Sequence, residues 1–489
     1  MILCPRAGRR ESRGPISLVA DTLSQVRLAI LIATALAACA QTALAQEEER
    51  EGEWKNGIPP GSIASSLPNN GDPGGMRKWL SERGLTYSFV LTSEGHADVT
   101  GGLRQGAVFQ GKLETVVRAD LEKMFGLKGL SFFTNSFVIH NTGGIRHDYT
   151  GSFNTIANIE ALATTRLSEL WLEQKFFNDT FSVRFGQLAA DAEFFISDYS
   201  VWMMTSDWPS ITAQNLPGGG PAYPLATPGV RLRYDPNKQF SFLLALFNGD
   251  PSGPGSGPDA AQINNRYGLN FRVSDPPLLM GEAQYRYNQD KDAAGLAGIW
   301  RVGFWHHFGE FDSQRFDQNG LSLANPLSSG IPARLRGTDG IYGIVDHQIY
   351  RPKGGDKDSG INVFSRVGFS APDRNQLELY WDGGITFSGM VPGRPDDKFG
   401  ATFLYSQISR DLADLDRDII AFTGVPRPIR DYELNLAFAY QAQIVQGWML
   451  QPAFHYVIHP GGHIPDPNSP VGAAIKDAAV LSLRSVITY

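Results

Sequence analysis

Tyr432-Glu433-Leu434-Asn435-Leu436-Ala437-Phe438-Ala439-Tyr440-Gln441 is the stretch on which the reading of the fold turns. Tyr432, Leu434, Leu436, Phe438 and Tyr440 alternate with Glu433, Asn435, Ala437, Ala439 and Gln441. A period of two, with one face apolar and aromatic and the other polar or small, describes a strand whose two faces meet different surroundings. A soluble β-sandwich produces the same alternation. Three features favour a membrane barrel. The alternating runs are about ten residues long, the length of a tilted membrane strand. Aromatic residues recur near their ends, where an interfacial girdle sits. The polar faces also carry full charges (Arg118, Arg184, Arg231, Arg233, Arg366), which a dry core does not accept unpaired but a wide, wet lumen does.

The pattern recurs throughout the chain. Leu113, Thr115, Val117, Ala119 and Leu121 alternate with Glu114, Val116, Arg118 and Asp120. Tyr267–Val273, Ala283–Tyr287 and Trp300–His306 repeat it. Candidate strands centre near residues 89, 116, 136, 171, 185, 232, 244, 268, 283, 303, 345, 365, 381, 403, 437, 453 and 484. Bacterial single-chain barrels have even strand numbers, so sixteen are expected, the first or the ninth candidate being surplus. The fold class is all-β: a transmembrane antiparallel barrel wide enough for an aqueous channel, preceded by a short periplasmic helix at about 76–83. Lys175–Thr180 and Ala371–Asn375 read as tight turns. The stretches 142–164, 191–227, 311–339 and 411–430 read as long loops that fold over the mouth or into the lumen.

The composition agrees. Of 489 residues, 43 are Lys or Arg and 50 Asp or Glu, a net charge of −7 that excludes a broad nucleic-acid-binding face. Gly (53) and Pro (30) are abundant, as many short elements joined by turns require. Arg6, Arg9, Arg10, Arg13 and Arg27 precede an apolar run, Leu28 to Ala38, which is too short to span a bilayer, and the small-residue site Ala43-Leu44-Ala45. This is an export signal over residues 1–45. A competing box, Leu36-Ala37-Ala38-Cys39, would leave a lipidated Cys39. Cleavage after Ala45 removes both cysteines and leaves a charge of −10, with no disulfide or thiolate site. Residues 46–85 read as a Glu-rich, Pro/Gly-rich lead ending in the helix, and 86–489 as the barrel. The location expected is the outer membrane of a Gram-negative envelope. The chain ends on Tyr489, with Leu481, Leu483 and Ile487 on the same face, like the terminal strand by which the barrel-assembly machinery recognises its clients.

Enzymatic and metal motifs are absent from the sequence, and no cofactor is expected. Asp414, Asp416 and Asp418 have calcium-loop spacing without its glycine or closing acid, and suggest a solvated acidic loop. His306 and His307 point to opposite faces of one strand. No G-x-S-x-G, H-E-x-x-H or Walker pattern occurs.

Three stretches resemble the carbohydrate-selective porin (OprB) family. The first runs from Glu169-Leu170-Trp171-Leu172-Glu173-Gln174 through Val183-Arg184-Phe185-Gly186-Gln187 to Glu193-Phe194. The second is Val391 to Gly400. The third is Tyr432-Glu433-Leu434-Asn435, then Leu450-Gln451-Pro452, His455-Tyr456-Val457 and His459-Pro460-Gly461-Gly462. The resemblance covers about residues 76–489. It implies a 16-stranded outer-membrane channel for monosaccharides and similar small sugars. His455 stands where family members usually carry Gln.

A sugar channel must replace water–hydroxyl hydrogen bonds with protein ones, so donors and acceptors should alternate around a constriction. Glu169, Trp171 and Glu173 share a strand face, and Arg184 lies on the next strand; together they form a candidate sugar rung. The same residues also read as paired wall charges around a packing indole. Arg118, Arg231, Arg233 and Arg366 are further lumen candidates, forming a positive constriction. Arg394, Asp396 and Asp397 at a strand entrance either hold a loop or contact solute. The partners expected are small sugars as permeants and outer-membrane lipid and lipopolysaccharide, with monomer and homo-oligomer both open. Other readings are a general or anion-preferring porin, an outer-membrane hydrolase barrel and an exported soluble β protein.

Overall fold

The computed structural model describes residues 54–489 except 256, 258, 291, 292, 470 and 471. The export signal, its cleavage site and Cys39 lie outside the described residues. Sixteen strands form the wall: β1 (Leu85–Gly102), β2 (Gly106–Asp120), β3 (Leu130–Asn141), β4 (Thr164–Phe176), β5 (Phe181–Leu188) and β6 (Thr227–Tyr234). They continue with β7 (Phe240–Asn248), β8 (Pro277–Tyr287), β9 (Gly298–Asp317), β10 (Pro332–Tyr350) and β11 (Gly360–Ser370). The last five are β12 (Leu377–Ser388), β13 (Lys398–Ile408), β14 (Tyr432–Val445), β15 (Trp448–Ile458) and β16 (Lys476–Thr488). Each pairs antiparallel with its sequence neighbours, and β16 returns to β1 with Val90 opposite Thr488 and Glu94 opposite Arg484. Closure leaves no edge to aggregate.

The surplus candidate is the eighth, centred at 268, not the first or the ninth; those two are β1 and β8. Residues 265–273 alternate in sequence but not in burial: Tyr267, Leu269, Phe271 and Val273 are exposed, as are Arg266 and Asn270, and only Asn265 and Gly268 are buried. The segment crosses above the short strands and makes isolated contacts. Leu167 N donates to Tyr267 O (3.0 Å), and Gln187 Nε2 to Gly268 O (2.9 Å). It has no ladder partner.

Alternation sorts side chains between lipid and lumen. On β7, Phe240, Phe242, Leu244 and Leu246 are exposed while Ser241, Leu243 and Ala245 are buried inside. The N-terminal lead and connections of at most ten residues gather at one end of the barrel, and the long connections at the other, which also carries the short links 103–105 and 371–376; these are the periplasmic and external ends respectively. At the periplasmic end Arg77, in the short helix Met76–Ser81, is sandwiched between the rings of Tyr87 (4.4 Å) and Tyr489 (4.5 Å). The Tyr489 hydroxyl donates to Gly71 O.

Two of the long loops fold into the lumen: 142–163, between β3 and β4, and 189–226, between β5 and β6. The stretch 311–339 is mostly strand, extending β9 and β10. The stretch 411–430 carries a helix, Arg410–Thr423, in place of the solvated acidic loop expected. Asp414 and Asp418 share one side of it and pair with Arg315 (2.6 and 2.9 Å), while Asp416 pairs with Arg430 (2.8 Å). The three carboxylates therefore diverge.

Loop 142–163 is latched by the inward-facing Glu433 of β14. Its carboxylate accepts from Ser152 Oγ (2.6 Å), Asn154 N (2.7 Å), Phe153 N (3.1 Å) and Gly461 N (2.6 Å). Asn154 reaches on to Ser406 Oγ (2.7 Å) and Ser210 Oγ (3.0 Å), joining loop, wall and the helix Ser210–Asn215 of the second loop. A carboxylate supplies enough lone pairs for four donors and an amide does not. Glu433→Gln should therefore release the loop at a local cost of about 2 kcal/mol or more. Limited proteolysis of the purified barrel is expected to cut within 142–163, and single-channel conductance to rise; cleavage identical to the unsubstituted protein would remove the latch.

Candidate functional site

The inner wall from β4 to β12 is charged, and its charges hold loop 189–226. Glu169, Trp171 and Glu173 lie on the lumen face of β4, as their alternation predicts, and Arg184 lies beside them on β5. Glu173 pairs with Arg184 (3.0 Å) and Arg231 (2.8 Å), and both guanidiniums also reach Glu193 of the loop (3.3 and 2.8 Å). Trp171 is packed between the ring of Phe133 (4.7 Å) and the guanidinium of Arg184 (3.8 Å). Glu169 accepts from Ala189 N (3.2 Å), where the loop begins. Farther round, Arg301 of β9 bridges Asp346 (2.6 Å) and the loop's Asp198 (2.7 Å).

Phe195 is the point to which this wall converges. It is a bulky residue held at φ 59°, a conformation that persists only where surrounding contacts impose it. Its N–H donates to Glu282 (3.0 Å), its C=O accepts from Arg366 (2.9 Å), and its ring stacks on Tyr342 at 4.0 Å. Arg366 is itself fixed by Asp382 (2.6 Å) and also donates to Asp207 O (3.2 Å). Trp305 backs Phe195 from β9, and Gly340 opposite gives it room: a Cβ there would lie 1.8 Å from the indole.

The two infolded loops meet across the lumen. Asn158 N donates to Met204 O (3.0 Å), Asn158 Nδ2 to Ser206 O (2.8 Å), and Tyr223 Oη to Ile159 O (2.9 Å). Between them and the wall lies a cavity of about 270 Å³, lined by Lys112, Asn158, Asp191, Phe194, Phe195, Ser206, Asp207, Trp208, Tyr223 and Arg366. Its charged groups are the loop carboxylates Asp191 and Asp207, the guanidinium of Arg366 and the ammonium of Lys112, which pairs with Glu114 (3.4 Å). Asp191 accepts from Tyr223 N (2.7 Å), and Asp207 from Trp208 N (2.8 Å). Lys112 lies over the rings of Phe137 and Tyr223 at 4.8 and 5.0 Å. Burial pushes Asp191 up to about 7, with the charge of Asp207 adding to the effect, and burial raises Asp207 as well.

Of the residues singled out from the sequence, only Arg366 lines this cavity. Glu173, Arg184 and Arg231 form one buried network, with Trp171 packed on it. Arg233 pairs with Asp235 (2.7 Å), and Arg118 lies over Phe133 (5.5 Å) and Trp54 (5.9 Å). The arginines therefore do not form the bare positive constriction expected: Arg184, Arg231, Arg301 and Arg366 are each matched by carboxylates. Arg394, Asp396 and Asp397 are not brought to the lumen centre. They sit in the turn between β12 and β13, where Arg394 pairs with Asp397 (2.7 Å), and Asp397 accepts from Gln443 N (2.9 Å) and from the Tyr440 hydroxyl. A turn residue placed at a strand entrance by sequence belongs to the rim by geometry. Asp191, Asp207, Trp208 and Lys112 were missed. The signal available was the apolar content of loop 189–226, with Phe194, Phe195, Met203, Met204 and Trp208, which no solvated loop needs.

An antiparallel barrel of sixteen strands, lipid-facing outside and narrowed inside by two infolded loops, is a diffusion channel of the porin class. The model of the carbohydrate-selective porin, OprB family, matches residues 104–489. The chain is 21% identical to Porin B of Pseudomonas aeruginosa over 415 residues, 80% of this chain and 87% of that one. Its fold is similar to that of Pseudomonas putida OprB in the high-pH structure, with TM-score 0.73, 19% identity and coverage of 86% of this chain and 97% of that one. The low-pH structure of the same protein gives TM-score 0.51 at 15% identity. The chain belongs to the carbohydrate-selective porin family. It is a sugar-preferring porin of the Gram-negative outer membrane, a channel and not an enzyme.

The elevated Asp191 makes one behaviour of the lumen depend on pH. A carboxyl titrating near 7 is neutral below and charged above, so the constriction gains negative charge between pH 6 and pH 8. Reversal potentials in a KCl gradient are expected to shift toward cations over that range, by up to about fivefold in permeability ratio, since one charge beside a hydrated ion in water is worth ~1 kcal/mol. Asp191→Asn should flatten the profile.

Proposed function

We propose that sugars are sorted in the cavity between the two infolded loops, and that the charged wall serves as its buttress. The observation that carries this is the division of labour among polar groups: the wall arginines are matched by carboxylates and hold loop backbone, whereas the loop carboxylates Asp191 and Asp207, which accept from Tyr223 N, Trp208 N and Thr155 Oγ1, line open space together with Lys112, which pairs with Glu114 (3.4 Å). Carboxylates accept from vicinal hydroxyls, the ammonium donates, and Trp208 presents an aromatic face to the C–H side of a pyranose. Paired arginines support passage of neutral solutes over an anion preference. Weak contacts at several points suit a channel, because tight binding slows exit. On this reading Glu169, Trp171, Glu173, Arg184 and Arg231 position the loop and do not touch sugar, and Arg233 pairs with Asp235. Residues 1–45 act as the export signal, residues 46–85 lie on the periplasmic side, and Tyr489 closes the strand presented to the assembly machinery.

Conductance in planar bilayers under glucose titration separates cavity from wall. Asp207→Asn should weaken glucose block about tenfold, as the loss of a charged hydrogen bond implies, with ionic conductance within about twofold. Trp171→Ala combined with Glu173→Gln should instead raise conductance, by loosening the loop. Full glucose block in Asp207→Asn, together with block abolished at unchanged conductance in the wall variant, would return the sugar site to β4 and β5.

A further inference from the structure

We propose that Asp431, His459 and His463 form a binding site for a divalent transition ion of the zinc class on the external rim of the barrel. The three residues come from two connections, Asp431 from the one between β13 and β14 and the histidines from the one between β15 and β16. One carboxylate oxygen of Asp431 and one ring nitrogen of each histidine all lie within 4.8 Å of one another. His459 Nδ1 is 3.0 Å from Asp431 Oδ1, and His463 Nδ1 is 3.8 Å from Asp431 Oδ2. Metal–ligand bonds of 2.0–2.2 Å place tetrahedral donors roughly 3.3–3.5 Å apart, so rotations of the side chains alone close the set around an ion.

The backbone is arranged for this convergence. His459 and His463 both have positive φ (51° and 66°), which non-glycine residues seldom adopt, and the intervening Gly461 and Gly462 do likewise. The turn thereby folds back so that the two imidazoles lie face to face, 4.2 Å apart, beside one carboxylate. His459 N is fixed by Asp477 Oδ1 (3.0 Å). Asp431 is fixed through its N–H to Gly462 O (3.1 Å) and its C=O to Ile408 N (2.8 Å) and Gln407 Nε2 (2.9 Å). Two imidazoles and one carboxylate select zinc, nickel or copper over magnesium and calcium, which require oxygen donors. Three protein ligands leave a further position for water. The three residues are half-buried, and the ring of His459 lies 4.8 Å from that of Tyr432. The site is coupled to the lumen through one residue: Gly461, inside the turn, donates to Glu433, the latch of loop 142–163. An ion here ties the two connections together and stiffens the turn that carries the latch.

The test is calorimetric titration of the chelator-stripped, detergent-solubilised barrel with Zn²⁺ alone. One saturable site per chain is expected, with no heat from Mg²⁺, and at least about tenfold weaker binding in H463N and in D431N; asparagine tolerates the backbone conformation of position 463. The wild-type protein supplies a second reading, in which Zn²⁺ should protect His459 and His463, and not the other histidines, from diethylpyrocarbonate as read by mass spectrometry. No saturable binding to wild type, binding unchanged in both variants, or protection confined to other histidines would each overturn the proposal.

Discussion

The structure depends on placing a long irregular segment inside a pore while satisfying the hydrogen bonds of its backbone. A chain folded away from bulk water and from any ladder partner cannot leave its N–H and C=O groups unpaired. The barrel answers with side chains from its own wall. Glu282 takes the N–H of Phe195 and Arg366 its C=O, Glu433 takes three backbone amides, and Asp346 takes the amide of Asp198 (3.0 Å). The charges on the inner strand faces do the work that a ladder does in a sheet. Without them the left-handed turn at Phe195 keeps its ring contacts with Tyr342 and Trp305 but loses the partners of its backbone N–H and C=O.

That arrangement also explains how an inner wall rich in arginine serves a neutral permeant. A guanidinium facing water is an anion site; one facing a carboxylate is a bracket. Arg231 and Arg366 are both buried and doubly engaged, and the other charged groups lining the cavity are Asp191 and Asp207 from the loop and Lys112. Rigid elements carry the scaffold, and the loops they position carry the recognition.

The wall was legible in the sequence because a strand's alternation is a local property: Tyr432 to Gln441 announces its two faces without reference to anything else. Residues 265–273 show the limit of that logic. Their apolar and polar residues alternate as a strand's do, yet both sets are largely exposed, and the segment lacks the ladder partners that define a strand. The candidate site was less legible for a related reason. Alternation places Glu173, Arg184 and Arg366 on the lumen face, but their partners Glu193, Phe195 and Asp207 lie on an irregular loop, and no period relates a loop residue to the strand across the bore. Asp414, Asp416 and Asp418 mislead in the opposite direction: their spacing suggests convergence, and a helix turns it into divergence.

The sandwich of Tyr87, Arg77 and Tyr489 sits where the first strand meets the last, and this seam gives the molecule a temporal character. Every other strand pair joins neighbours in sequence across a single connection. The β1–β16 pair joins residues nearly four hundred positions apart, as with Glu94 and Arg484. Until β1 and β16 pair, two rows of backbone groups lack partners on a chain that is apolar along one face of each strand. The channel is therefore completed at this one seam, along which β1 and β16 satisfy each other's backbone from Val90 and Thr488 to Gly102 and Lys476.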